Sequence, residues 1–102
     1  MNKSRITLHE KLAEILGSRN VYYQPPADIK IKYPAIIYAR KTIENIHSNN
    51  DVYGRNFAYE LNFVCKSPDN ETILHILDLP YCQFDRHYTA DNLNHDVFTI
   101  YW

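Results

Sequence analysis

The five histidines are the residues of this sequence that could bind a metal ion. No two of them have the His-x-x-x-His spacing that places two imidazoles on one face of a helix. His87 and His95 could meet across a hairpin near the C-terminus, with Asp85 or Asp96 beside them. Cross-strand histidines are more often solvated than bound to metal, and turn-flanking carboxylates such as these and Asp91 are usually solvated too. We therefore predict no metal or other cofactor, and a small metal-assisted enzyme around His87 and His95 remains a less favoured alternative.

Nucleophilic catalysis finds no better support. Cys65 and Cys82 lie in sheet-like segments, where small buried thiols are common, and neither follows a pattern that would lower its pKa. They form neither a disulfide framework nor a zinc spacing. No Gly-x-Ser-x-Gly sequence occurs, and Gly17 and Gly54 are too few for a phosphate-binding loop. The sequence predicts a protein that is not an enzyme.

Length and charge limit the remaining classes of function. The 102 residues are enough for one domain, residues 1–102, and a chain this short makes association a real possibility. Its 11 basic and 12 acidic residues give a formal net charge of −1, which argues against a dedicated nucleic-acid binder. No signal-peptide pattern and no membrane-length apolar run occur, so we expect a soluble protein made in a reducing cytoplasm.

The most regular pattern of the chain lies at residues 55–66. Five apolar or aromatic residues alternate there with a period of two: Phe57, Tyr59, Leu61, Phe63 and Cys65. Successive side chains of a strand point to opposite faces of a sheet, so this alternation predicts a half-buried strand. We expect it to be the central strand of an antiparallel sheet that holds most of the core.

Other segments surround this strand. Leu8, Leu12, Ile15 and Leu16 have helical spacing, and Gly17 can end the helix. The further predicted elements are a strand at 20–24, an extended edge or lead-in at 28–32, a strand from 35 to 40 that continues to about 43, a helix from Ser67-Pro68 to Pro80 with a buried stripe of Ile73, Ile76 and Leu77, a strand at 81–88, a turn at 89–94 and a strand at 96–102. The predicted fold is α+β, a small antiparallel or mixed sheet with two helices packed against it, in the order α-β-β-β-α-β-β.

Residues 44–54 are the least compact part of the chain, and residues 47–51 within them have almost nothing to bury and are rich in turn-forming residues. A hairpin needs only about two to five connecting residues, so this segment is longer than a simple turn requires. Two interpretations remain open: a loose surface tip, or an arm that becomes ordered against a neighbouring molecule.

The C-terminal part of the chain is unusually aromatic. Residues 79–102 contain Tyr81, Phe84, Tyr88, Phe98, Tyr101 and Trp102. A small sheet with one buried face cannot bury all of these rings, so some are expected to contact a partner. The basic residues Lys30, Lys32, Arg40 and Lys41 could gather along another edge, either solvated or facing an acidic neighbour.

Several phrases of the sequence resemble a known group of proteins. They are Leu-Gly-Ser-Arg-Asn-Val-Tyr-Tyr-Gln-Pro-Pro at 16–26, Lys-Tyr-Pro-Ala-Ile-Ile-Tyr at 32–38, Leu-Pro-Tyr-Cys at 79–82 and Asp-Arg-His-Tyr-Thr-Ala-Asp-Asn-Leu-Asn-His at 85–95. They resemble small proteins encoded in the head–tail region of tailed bacteriophages and prophages, the tail terminator or tail completion proteins. The predicted order of elements is also similar to that of the terminators of the minor tail protein U type.

The resemblance spans most of the chain and implies a role without catalysis. It implies a homo-oligomeric ring, hexameric in that family, that caps the finished tube of the major tail tube protein and meets the head-completion or connector protein. DNA would pass through the lumen without sequence-specific binding. The protein would belong to the virion, at the tail or neck, and would assemble in the cytoplasm of the bacterial host. No site residue can be transferred, because the matching phrases have no catalytic or ligand-binding meaning.

A closed ring needs a heterologous interface, in which one surface of a subunit meets a different surface of the next. We expect an edge strand at 36–43 on one side and the aromatic C-terminal hairpin on the other. The candidate subunit or tube contacts are Ile36, Tyr38, Arg40, Lys41, His47, Asn49, Asn50, Asp51, Tyr53, Tyr81, Phe84, Tyr88, Tyr101 and Trp102. The alternatives are another neck protein, such as a stopper or tail-assembly factor, the small enzyme above, and a monomeric adaptor module.

Overall fold

Two helices pack on one face of a five-stranded sheet. The computed structural model describes residues 4–48 and 51–102, without the side chains of Ser48, Val52 and Tyr53. The elements are α1 (Arg5–Leu16), β1 (Val21–Tyr23), β2 (Ala35–Ser48), β3 (Asp51–Cys65), α2 (Thr72–Leu77), β4 (Cys82–Ala90) and β5 (Leu93–Tyr101). The strand order is β1-β2-β3-β5-β4, and only β1 is parallel to its neighbour. The α+β class and the predicted order α-β-β-β-α-β-β are confirmed.

Strand β3 is the central strand, as predicted. It pairs with β2 on one side and β5 on the other. Leu61 lies opposite Tyr38 on β2 and Phe98 on β5, and all three side chains are buried. Alternation in the sequence therefore identified the core face correctly, because only one face of the sheet is covered by helices.

Helix α1 begins and ends at the residues that favour helix boundaries. Ser4 is the N-cap, and its hydroxyl accepts a hydrogen bond from the Thr7 amide at 3.4 Å. Gly17 closes the helix in the left-handed conformation, with φ of 76°, and its amide donates to the Ala13 carbonyl. Leu8 and Leu12 are completely buried against the sheet.

Helix α2 is shorter than predicted. It begins at Thr72 and not at Ser67-Pro68, because the side chain of Asn70 accepts the Thr72 amide hydrogen bond after a turn. Ile76 is buried as expected, whereas Leu77 is exposed, which corrects the predicted stripe. Ile73 is partly buried and packs against the core as predicted, and Leu79 beyond the helix is buried in place of Leu77.

The connections differ from the predictions in two places. Residues 28–32 form neither the edge strand nor the extended lead-in that was predicted. The Ile29 amide donates to the Pro26 carbonyl at 3.2 Å in a turn, and the Lys32 amide donates to the Tyr22 hydroxyl at 3.3 Å. The β4–β5 turn consists of Asp91 and Asn92 alone, with φ of 54° and 63°, so β4 and β5 are longer than expected. Asp and Asn tolerate this left-handed conformation, which is typical of two-residue hairpin turns.

Strands β2 and β3 continue well beyond the rest of the sheet. β1 covers only Ile36–Tyr38 of β2, and β5 covers β3 from Ala58 onward. Residues 43–48 and 51–57 therefore have only each other as strand partners, although the Trp102 amide donates to the Phe57 carbonyl at 3.0 Å, and we call this two-stranded segment the arm. At roughly 3.4 Å per residue, the arm is about 20 Å long. The longest dimension of the molecule is 51 Å. The strand predicted to end near Ile43 continues to Ser48, and the described residues of 44–54 form paired strands instead of a loose tip, because cross-strand pairing satisfies the backbone there without burying side chains.

Candidate functional site

The two histidines of the alternative enzyme hypothesis do not meet. In the β4–β5 register, His87 lies opposite Asp96 and Tyr88 opposite His95, which places His87 and His95 on opposite faces of the sheet. His87 Nδ1 is 2.9 Å from the Asp96 carboxylate. His95 stacks on Tyr88 with ring centroids 4.6 Å apart, and its Nδ1 is 3.2 Å from the Asn62 amide nitrogen. The two imidazoles cannot bind one ion in this arrangement.

The other candidate metal ligands do not cluster in the described residues, and the two cysteine thiols, the candidate nucleophiles, are protonated. Among residues 4–48 and 51–102, no three side chains of the His, Cys, Asp and Glu types lie close enough to hold a metal ion. Burial raises the pKa of the Cys65 thiol, which donates to the Ser67 carbonyl at 2.9 Å. Burial, with a smaller contribution from Asp85, raises the pKa of Cys82 to about 11. Both thiols are therefore protonated near neutral pH and are poor nucleophiles.

The largest cluster of side-chain contacts surrounds Tyr38 and holds helix α1 on the sheet. Arg5 donates to the Tyr38 hydroxyl at 3.0 Å and lies 4.1 Å from the centroid of the Tyr23 ring. His9 Nδ1 is 2.8 Å from the same hydroxyl, and burial, followed by the positive charge of Arg5, lowers the pKa of His9. Tyr38 also packs against Tyr23 and Tyr59. These contacts fix α1 on β1, β2 and β3 near the base of the arm.

Three of the predicted interface residues lie in the core. Ile36, Tyr38 and Trp102 are buried, so the surface of the chain does not present them. The Trp102 indole donates to the Thr7 hydroxyl at 2.9 Å, which ties the C-terminus to the start of α1. The prediction failed because Ile36 and Tyr38 lie on the helix-covered face of β2, and because β2 is an internal strand over Ile36–Tyr38.

The aromatic residues of the C-terminal hairpin divide as the sequence suggested. Tyr81, Phe84 and Tyr88 expose 66%, 44% and 39% of their surfaces, and Tyr101 is half-buried. Phe98, directly opposite Phe84, is buried. Phe84 and Tyr88 lie in β4, the edge strand, and Tyr81 directly precedes it, whereas Phe98 and Tyr101 belong to β5, which has a neighbour on each side.

The predicted contacts of the arm region can be placed in part. His47 and Asp51 are exposed near the end of the arm, Asn49 and Asn50 lie outside the described residues, and so does the side chain of Tyr53. Arg40 is exposed, and its amide donates to the Gln24 side chain at 3.2 Å.

Lys41 belongs to a polar network on the helix-free face that the sequence did not reveal. Its ammonium donates to the Thr99 hydroxyl at 3.1 Å, and Thr99 donates to Asp85. Nearby, Arg86 and Glu60 form an ion pair at 3.8 Å. The network bridges strands that are distant in the sequence, so only the cross-strand register could have identified it.

Two exposed strand edges remain as the most unusual surfaces. β4 pairs with β5 on one side only, and all of its residues after Cys82 are exposed. The outer side of β2 beyond Arg40 has no strand beside it in the described part of the chain. Unpaired backbone donors and acceptors on such edges can bind another strand. The two edges belong to different elements at opposite sides of the sheet.

None of the helices among the described residues is long and apolar enough to cross a membrane. In the comparisons with known proteins, no protein-family model matches the chain, and no curated protein matches it either.

Proposed function

We propose that this protein is a structural subunit of a tailed bacteriophage, a tail terminator that forms a homo-oligomeric ring on the head-proximal end of the tail tube. The ring stops polymerisation of the major tail tube protein and joins the tail to the head-completion or connector protein. It belongs to the virion neck and assembles in the host cytoplasm. The resemblance of several sequence phrases motivates this role, and the shape of the subunit supports it.

The arm is the observation on which the proposal depends most. It is a two-stranded ribbon whose residues pair as strands with each other, and among its described residues only Phe57, at its base, also bonds to the rest of the chain, through the Trp102 amide. Isolated two-stranded ribbons are marginally stable in water, so a neighbouring surface would stabilise this one. Ile43 and Ile46 each expose 41% of their surface on the arm, and both would gain from burial against another subunit or the tube.

The arrangement of exposed surfaces also suits a ring. The exposed side of β2 and the exposed edge of β4 lie at opposite borders of the sheet. Two unlike surfaces of one subunit produce head-to-tail contacts, which close into a ring when the rotation between subunits permits it. The net charge of −1 would also let DNA pass through the centre without tight phosphate binding.

The test has two steps, which use the full chain and the tail tube protein of the same phage. First, the mass in solution and negative-stain images of the purified protein, alone and with tubes, report whether rings form. Second, polymerisation of the tube protein is followed with and without the terminator candidate. We expect rings at one end of each tube and shorter tubes. Rings that bind the head connector but leave tube length unchanged would indicate another neck protein instead of a terminator. A monomer that has no effect on tubes would refute both the terminator role and that alternative.

A further inference from the structure

The outer edge of β4 contains a regular stretch with nothing beside it. A bulge between Phe84 and Arg86 divides the strand, and residues 86–90 then pair in uninterrupted register with β5. Within the described residues, no strand pairs with their opposite side. Arg86 is the one acidic or basic residue of this stretch, which also contains His87 and the exposed ring of Tyr88.

The arm has a second stretch of the same length. Residues 42–46 lie between two register irregularities of β2, one at Arg40/Thr42 and one at Ile46/His47, and pair regularly with β3 between them. Their outer side has no partner strand in the part of the chain that the structure describes. Glu44, at the centre, is the one acidic or basic residue of this stretch, and it lies between exposed Ile43 and Ile46.

The edge formed by β1 is protected, whereas these two stretches are not. β1, the edge strand beside β2, has three residues and is followed by Pro25-Pro26, which cannot donate backbone hydrogen bonds. Neither residues 42–46 nor residues 86–90 contain a proline or a lysine, the residues that usually prevent pairing at an edge. Both stretches are therefore available to accept a strand.

We propose that residues 42–46 of one copy of this chain pair as a β-strand with residues 86–90 of a second copy. The two stretches cannot meet within one copy, because β3 and β5 lie between β2 and β4 in the sheet. Their charges are complementary, with Glu44 on one and, on the other, Arg86, which is 61% exposed although it is ion-paired with Glu60 of its own copy. The contact also continues one sheet into the next copy.

Pairing between copies is head-to-tail in this arrangement. An antiparallel arm-to-arm contact centred on this stretch would place Glu44 opposite Glu44, and like charges directly opposite each other destabilise a strand pair. Closure of these contacts into a ring rests on the proposed function. Strand pairing between copies can be tested with this protein alone, without any phage component.

The test is a charge exchange in the full-length chain. Glu44→Lys and Arg86→Glu should each weaken self-association by about tenfold or more, because each brings like charges together at the contact. A one-to-one mixture of the two variants should associate as the wild type does, since each arm then meets a β4 edge of opposite charge. Asp28→Lys and Lys30→Glu, in the exposed 24–34 loop, are matched controls that should leave association unchanged. Thermal melting of every variant establishes that the subunit itself is folded.

Hydrogen exchange of backbone amides provides the second measurement. In the associated wild type, amides within both stretches should exchange more slowly than in Glu44→Lys at the same concentration. Association that resists both charge reversals, or a wild type that stays monomeric at millimolar concentration, would overturn the inference. Rings in which the amides of residues 42–46 and 86–90 exchange rapidly would refute strand pairing but leave the proposed function standing. Dimers or open filaments whose formation depends on these charges would support strand pairing and refute the ring.

Discussion

At the scale of single residues, Tyr38 shows how one side chain can serve both packing and polar contacts. Its ring is buried among Tyr23 and Tyr59, while its hydroxyl accepts from Arg5 and lies 2.8 Å from His9. Because Arg5 can only donate, the hydroxyl proton is free to point at the imidazole, which suits a neutral His9. The sequence alone suggested Tyr38 as a surface residue, and its position under α1 makes it part of the core.

This cluster predicts a stability that falls in acid. Burial and Arg5 lower the pKa of His9 below 6.5, with Glu10 offsetting part of the effect. The unfolded chain therefore binds the proton more readily, so the contribution is fully present above the unfolded pKa and is lost as the pH falls through the folded pKa. We expect the melting temperature to decrease from about pH 7 to about pH 5, and this decrease to be smaller in His9→Gln. His75→Gln, on exposed α2, is the control, and an identical pH profile for both variants would contradict the assignment to His9.

Leu61 tests the assignment of the core face. It is completely buried at the centre of β3, so Leu61→Ala should lower the free energy of unfolding by about 2–5 kcal/mol, from lost burial and the cavity left behind. The measurement is chemical denaturation followed by fluorescence. Leu74→Ala, at an exposed position of α2, should change the stability by less than about 0.5 kcal/mol. Equal effects would mean that the helices cover the other face of the sheet.

At the scale of elements, short local signals determine where α1 ends and where the last hairpin turns. Gly17 and the pair Asp91-Asn92 all adopt positive φ, and each stands directly at the end of its element. The arm is different, because the sequence pattern predicts strand only at its base, near Ile43 and from Arg55 onward. Its regularity comes from the pairing of β2 with β3, which begins in the buried sheet and continues outward.

The two glycines allow a matched comparison. Gly17→Ala should destabilise the protein by about 1 kcal/mol, because alanine is strained at a φ of 76°. Gly54→Ala, in the arm, should be nearly neutral, since no left-handed conformation is required there and nothing lies within 4 Å of the added carbon. Thermal melting measures both. A larger loss in Gly54→Ala than in Gly17→Ala would contradict the description of the arm.

At the scale of the whole molecule, the chain has a folded body and an arm that contributes little to the core of that body. The body contains α1, α2 and the five-stranded part of the sheet, with one connected core. The arm adds length without adding to that core, since among its described residues only Phe57 packs against the core. This separation predicts that a change in the arm can remove the proposed self-association while folding is kept.

Shortening the arm tests the separation directly. Replacing residues 46–54 with Asn-Gly, a sequence that favours a two-residue turn, would close the hairpin on the Asn45–Arg55 pair. We expect the melting temperature to change little and self-association to be lost, as measured by mass in solution. Normal assembly of the shortened chain would show that the arm is dispensable, and an unfolded product would show that the body depends on it.

The sequence by itself determined the class of the fold, the order of its elements, the central strand with its buried face, and the close of the first helix. These features depend on periodicity, capping and glycine, which act between residues close together in the chain. Sequence patterns also indicated that some aromatic residues of the last hairpin would remain exposed, as Tyr81 and Tyr88 do.

Only the tertiary structure decided which strands are edges, which residues share a face, and how far the hairpin at 44–54 extends. It separated His87 from His95, buried Tyr38 and Trp102, and joined Lys41 to Thr99 across the sheet. The physical reason is the register of strands distant in the sequence. A shift of one residue moves every side chain to the other face, and no local pattern specifies that register.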